Sequence, residues 1–233
     1  MSYKRLSKIK LGRTVVGPGS CLSVLSRPSL LPTILSWGRE AFAPGRKIEQ
    51  DMGPNNIIRL LPDVPLPPYT YVPGQTPHPR SDPAGHLYGE PPEQPAPLDP
   101  EQWQGSRTYL RGIDLFNAGY FWEAHEVWES LWHAAGRRGA TADLLKGLIK
   151  LAAAGVKLRA GVPAGVRSHA ARAAAVFRRL AGSLGNGEER YLGLRLIDLI
   201  AVAHEFDERT IGDREAMTLP LIPILCPRIQ ERR

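Results

Sequence analysis

A histidine and a carboxylate four residues apart, set among tryptophans, mark the place where this chain could do chemistry. They are His125 and Glu129, in the run Tyr120-Phe121-Trp122-Glu123-Ala124-His125-Glu126-Val127-Trp128-Glu129-Ser130-Leu131-Trp132. Wound as an α-helix at ~100° per residue, Phe121, Trp122, His125, Trp128, Glu129 and Trp132 share an arc of roughly 120°. Aromatic side chains drive burial, so the arc is expected to face a core. A buried imidazole and carboxylate need hydrogen bonds, each other or a metal to offset lost hydration.

Two chemistries fit that pair. An i, i+4 spacing lets both side chains reach one divalent metal ion. Glu126 and His133 flank the arc and are further donors, whereas Glu123 points away and reads as solvated. Two ligands on one helix are too few, so a third is sought at His169, or at His204 with Glu205. The pattern is not the His-Glu-x-x-His of zinc proteases, because position 129 is Glu. The alternative is a structural clip, in which His125 donates to Glu129 or to a backbone carbonyl. Nucleophile motifs are missing: there is no Gly-x-Ser-x-Gly, no Walker loop and no Gly-x-Gly-x-x-Gly after a strand.

Cys21 and Cys226 are far apart in sequence and form no CxxC, so neither a zinc knuckle nor a disulfide framework is expected. A reducing, cytoplasmic setting follows as the default. No apolar run is long enough to cross a membrane. The formal charge of +7 is concentrated at one end. Residues 1–51 hold nine Lys/Arg against three Asp/Glu, and the remainder is almost neutral. The basic pI therefore describes mainly that N-terminal stretch and does not by itself indicate nucleic-acid binding.

The elements that must position the pair follow from composition. Residues 1–51 show no sustained periodicity; they read as a disordered basic arm, a targeting peptide, or sequence upstream of a true start at Met52. Residues 52–100 are rich in proline, at Leu66-Pro67-Pro68-Tyr69, Val72-Pro73-Gly74, Pro77-His78-Pro79 and Pro91-Pro92. Proline fixes φ and removes a donor, so extended or turn-like chain is expected rather than helix. Tyr69, Tyr71 and Val72 offer apolar anchors that could lay it along a helical body as a strap.

Between residues 101 and 208 proline falls to one, Pro163. Five helices are expected, over about 103–117, 120–135, 141–161, 163–181 and 188–206. Asn117 and Gly119 supply the first stop, Thr141 caps the third helix and Pro163 opens the fourth. Gly147, Gly155 and Gly193 fall inside helices, where close helix packing explains them. Short connections make this an all-α antiparallel bundle. Residues 209–233 read as an irregular tail, because Leu219-Pro220-Leu221-Ile222-Pro223-Ile224-Leu225 cannot form a regular helix.

Charge inside the bundle is segregated. Residues 101–129 and 188–208 are acidic, whereas 137–179 are strongly basic. Lys146, Lys150 and Lys157 share one face of the third helix, and Arg167, Arg172, Arg178 and Arg179 extend the excess onto the fourth. That face reads as solvated with ion pairs to the acidic helices, or as a patch for phosphate or an acidic partner. It lacks the interleaved aromatics of a single-strand binder, so nucleic acid is not expected.

Phe116-Asn117-Ala118-Gly119-Tyr120-Phe121-Trp122-Glu123-Ala124-His125-Glu126 resembles the opening of the domain of unknown function family numbered 309, found in bacteria and archaea. The family's His-x-x-x-Glu-x-x-Trp/Tyr motif corresponds here to His125, Glu129 and Trp132. Leu144 to Ala154 is similar to its second helical signature, and the resemblance spans roughly residues 104–180. It implies a small all-helical bundle whose motif has been proposed to bind metal, with no activity attached. Many members carry Gln where Lys146 and Lys150 stand and a His near Lys157.

Two functions follow. The first is a metal-binding helical protein, a metal-dependent hydrolase with His125 and Glu129 as ligands and Glu126 and His169 as further ones. Phe116, Asn117, Gly119, Trp122, Trp128 and Trp132 frame that site. The second is a noncatalytic interaction module with a structural His–Glu pair, whose basic face at Lys146, Lys150 and Lys157 meets an acidic partner or a second copy of the chain.

Overall fold

Helix-forming sequence and proline-rich sequence separate cleanly in this chain. The computed structural model describes residues 59–185 and 190–208. The 1–51 extension and the 209–233 tail lie outside the described residues. Among those described there are five α-helices: α1 (Arg107–Asn117), α2 (Phe121–Ala134), α3 (Gly139–Arg159), α4 (Pro163–Ser183) and α5 (Leu196–Glu208). No helix among them is long and apolar enough to cross a membrane.

The first helix is shorter than expected. Trp103–Gly105 forms a separate 3₁₀ turn, and Ser106 begins α1 by accepting the Tyr109 amide at 3.3 Å. Asn117 is the last helical residue and Gly119, at φ 81°, makes the turn into α2. The third helix starts at Gly139 rather than being capped by Thr141. The Thr141 hydroxyl is instead within 2.9 Å of the Tyr191 hydroxyl, across the bundle. Pro163 occupies the first turn of α4, where its missing amide hydrogen costs nothing.

The largest departure is before α5. Arg190–Tyr191 (β1) and Leu194–Arg195 (β2) pair antiparallel as a two-residue-strand hairpin. Its turn is Leu192-Gly193, with φ values of 47° and 79°. Gly193 is therefore a turn glycine, not a helical one, because a left-handed backbone costs least without a Cβ. The hairpin is fixed from α1, where the Tyr109 hydroxyl donates to the Leu192 carbonyl at 3.0 Å.

Consecutive helices pack on one another, and α5 returns toward α1 and α2 through Phe206. Phe116, Phe121, Trp128 and Phe206 meet near the centre at ring separations of 5.3–6.3 Å. Three aromatics are seated on glycines of neighbouring helices. A Cβ at Gly112 would lie 2.2 Å from Trp128, at Gly147 2.2 Å from Phe177, and at Gly155 2.4 Å from Phe121. Close packing at Gly147 and Gly155 is thus what the sequence leads one to expect.

The proline-rich segment lies against α1 and α2. Leu61, Val72 and Leu98 are buried. The Leu60 and Leu61 amides donate to Asp114 of α1 at 2.7 and 2.8 Å, and the Tyr71 amide donates to Glu123 of α2 at 2.9 Å. Turns within the segment pair many of its other amides, and these two carboxylates supply the acceptors for these three.

Glycine contacts give opposite signs to one substitution. Alanine is favoured over glycine in a helix by ~1 kcal/mol. At Gly182, where a Cβ meets nothing within 4 Å, Gly182→Ala should stabilise by a few tenths to ~1 kcal/mol. At Gly147 the clash with Phe177 outweighs that gain, and Gly147→Ala should destabilise by ~1–3 kcal/mol. Urea unfolding midpoints compare the two; equal signs would contradict the packing described.

Candidate functional site

The buried stripe of α2 is Phe121, Ala124, Trp128 and Leu131. Its centre is rotated by roughly 80° from the arc expected from the aromatics. Only Trp128 among the three motif tryptophans is fully buried. Trp122 is half-buried beneath the proline-rich segment, against Tyr71 and His78 at 5.6 and 5.2 Å. Trp132 is half-buried beside His133, with the Arg137 guanidinium over its ring at 5.3 Å. The α2 aromatics thus serve separate surfaces, and their summed direction is not the direction of the core.

His125 and Glu129 consequently sit on the shoulder of the stripe, with side chains 27% and 41% exposed. His125 Nδ1 lies 3.3 Å from the Ile149 carbonyl of α3. A carbonyl only accepts, so Nδ1 carries a proton, and in the neutral ring Nε2 is left to present its lone pair. Nε2 is 3.8 Å from Glu129 Oε2, too long for a hydrogen bond. Of the two clip geometries, the backbone-carbonyl one is present, the His–Glu one is not, and the pair is only partly buried.

Glu126 completes the group. One ligand atom from each of His125, Glu126 and Glu129 falls within 4.8 Å of the others. Burial pushes the Glu126 carboxyl up, opposed by the positive field of His125, reinforced by neighbouring Glu129 and opposed by Arg80, whose guanidinium is 3.7 Å away. Two carboxylates that repel each other beside an imidazole lone pair form a set that a divalent cation would relieve.

His169 does not join this group. His133 is engaged with Arg137, and His204 is exposed on α5 with its Nε2 2.7 Å from an Arg178 nitrogen. Glu205 is exposed too. Lys146 is exposed, and Lys150 and Lys157 are half-buried. No ion pair joins any of these lysines to the acidic helices among the described residues.

Glu123 is a correction. It is 4% exposed rather than solvated, and its carboxylate accepts from the Tyr71 amide and the Thr70 hydroxyl at 2.9 and 3.3 Å. Burial raises its pKa, and those hydrogen bonds hold the rise in check. The helical wheel sends Glu123 away from the core correctly; what covers it is the proline-rich segment.

That covering creates a cleft of about 950 Å³, with Pro67 and Pro92 on one wall and Leu115 and Trp122 on the other. Glu126 and Glu129 line it, so the His125–Glu126–Glu129 group borders an open space. His86 also lines it. Its side chain is 7% exposed, neither ring nitrogen has a hydrogen-bond partner, and Nε2 is 4.0 Å from Glu123. Gly85 positions it: the loop folds so tightly that a Cβ there would meet the His78 and Pro79 carbonyls. Asp114, Arg80 and His86 were not singled out by sequence. Asp114 carries one legible signal, a charge inside Ile113-Asp114-Leu115-Phe116.

With this geometry in hand, the chain can be compared with known proteins. Residues 109–169 match the family model DUF309, described as a domain of unknown function. The match runs from Tyr109 in α1 to His169 in α4 and bears out the resemblance. The DUF309 segment thus contains His125, Glu126 and Glu129, whereas the cleft's proline-rich wall lies outside it. No curated protein and no solved structure matches the chain.

Two outcomes follow. Trp128→Ala should cost ~3–5 kcal/mol in urea melts and half-buried Trp132→Ala clearly less; the reverse ranking would overturn the placement of the stripe. Burial also depresses the His86 pKa below its ordinary 6.5. The unfolded chain then binds the proton more readily, so stability present above that pH is lost as pH falls below it. Melting temperatures at about pH 7.5 and about pH 5.5 bracket the ordinary histidine range. The gap between them should narrow in His86→Leu, and an unchanged gap would refute the assignment.

Proposed function

We propose that the protein binds a divalent metal ion through His125, Glu126 and Glu129 and acts as a metal-dependent hydrolase on a ligand held in the adjoining cleft. The observation that carries this reading is the orientation of His125. Its Nδ1 is occupied by the Ile149 carbonyl, which leaves Nε2 facing the carboxylates. Metal-ligating histidines are commonly fixed in this way, by a hydrogen bond from the other ring nitrogen.

The donor set fits a borderline or hard cation: one imidazole nitrogen and two carboxylates, each partly exposed. Three protein donors suit a catalytic site better than a closed structural one, because positions are left for water or a ligand. When bound, such an ion polarises an oxygen of the ligand or lowers the pKa of coordinated water. The chain's own residues do the rest. Ile149 holds the imidazole tautomer, Arg80 restrains Glu126, and the walls at Pro67, Pro92 and Trp122 exclude bulk water from one side of the cleft.

The test uses full-length protein without a histidine tag, titrated calorimetrically with Zn²⁺ and with Mn²⁺. One ion per chain is expected for at least one metal. At a metal concentration ~100-fold above Kd the native state gains ~2.7 kcal/mol, or roughly 5–10 °C in melting temperature. His125→Ala and Glu129→Gln should each abolish that gain. A folded parent that takes up neither ion would overturn the proposal and leave the noncatalytic interaction module as the better reading.

A further inference from the structure

The basic face of α3 and α4 is more than a solvated surface. Lys146, Lys150 and Lys157 form one stripe along α3, and His169 and Arg172 lie one turn apart on α4. The two helices pack tightly against each other, and one contact shows how the stripes meet. The Lys157 methylenes cross over Gly165, where a Cβ would lie 2.8 Å from Lys157 Cγ and 3.0 Å from Cδ. The lysine stem is thereby laid across the first turn of α4, four residues ahead of His169.

His169 is half-buried, and its Nδ1 is out of contact with solvent and has no hydrogen-bond partner. A buried ring nitrogen without a partner is costly and calls for an explanation. Among the described residues no carboxylate comes within ion-pairing distance of Lys146, Lys150, Lys157 or Arg172. Like charges are instead held together. Burial first, then Lys146 and Arg172, holds the Lys150 ammonium below its ordinary range. Burial first, then Lys150, Arg172, Lys157 and His125, does the same to His169.

We propose that His169, Lys150, Lys157 and Arg172 form a binding site for a phosphate group on the α3–α4 face. Phosphate matches the donors. It offers several acceptor oxygens and up to two negative charges, to ammonium groups that act as point charges and a guanidinium that binds bidentately. A single carboxylate would leave more of the positive charge uncompensated. Positive charge carried by side chains on two packed helices, around a ring nitrogen in need of a partner, distinguishes this place from the scattered arginines elsewhere on α4. Arg178, for example, points away from the stripe and already contacts His204. The site does not depend on metal at α2.

Inorganic phosphate is the probe, titrated into full-length protein with EDTA present so that no metal contributes. Saturable shifts of the His169 imidazole resonances are expected by NMR. Lys150→Gln and Arg172→Gln should each weaken binding by roughly tenfold, the loss expected for one hydrogen bond to a charged group. Arg178→Gln should leave it unchanged. Arg172 is exposed, so its variant should melt like the parent even if Lys150→Gln is perturbed. Non-saturable shifts, or equal weakening in Arg172→Gln and Arg178→Gln, would overturn the proposal, since either marks a diffuse electrostatic response.

Discussion

Two carboxylates on adjacent helices hold the stretches of the proline-rich strap that its own turns leave unpaired. Asp114 accepts the Leu60 and Leu61 amides, and Glu123 accepts the Tyr71 amide and Thr70 hydroxyl. Internal turns pair many strap amides, but those of Leu60, Leu61 and Tyr71 find their acceptors on the helices. Each carboxylate in turn would be a costly buried charge without those donors. Burial raises both pKa values, while the strap amides pull them down. Each partner therefore exists in its buried place because of the other. The cleft, and with it one border of the His125–Glu126–Glu129 group, is a consequence of that exchange.

The helical architecture was legible because local rules and tertiary packing agree there. Pro163 begins α4, Asn117 and Gly119 end α1, and the apolar period of α3 runs unbroken. The hairpin before α5 was not legible. Apart from Gly193, Glu188 to Phe206 carries helix-compatible residues, and nothing local announces that Leu192 turns left-handed as well. What enforces that turn is long-range: the Tyr109 hydroxyl on the Leu192 carbonyl and the hydroxyl contact between Thr141 and Tyr191.

For the site, sequence singled out His125 and Glu129 for a reason that the fold only partly supports. His125 and Glu129 stood out because the tryptophans seemed to place them inside the core. Trp122 and Trp132 instead cover the strap side and the Arg137 side, so the pair emerges on a shoulder. Emergence favours chemistry, since a fully enclosed pair would have no room for an exchangeable ligand. Glu123 shows the converse error. A wheel knows only two environments, core and water, and cannot represent a second layer of chain lying over the outer face.

The strap anchors also determine what can be cut out of this protein. A fragment beginning near residue 101 would keep every described helix and the whole DUF309 match. It would also expose two grooves, each floored by a carboxylate whose donors had been removed, and would strip the cover from Trp122. The apparent spacer ahead of the helices is thus part of the smallest self-sufficient unit. For expression and crystallisation, the usable boundary lies upstream of Arg59, not at the first helix.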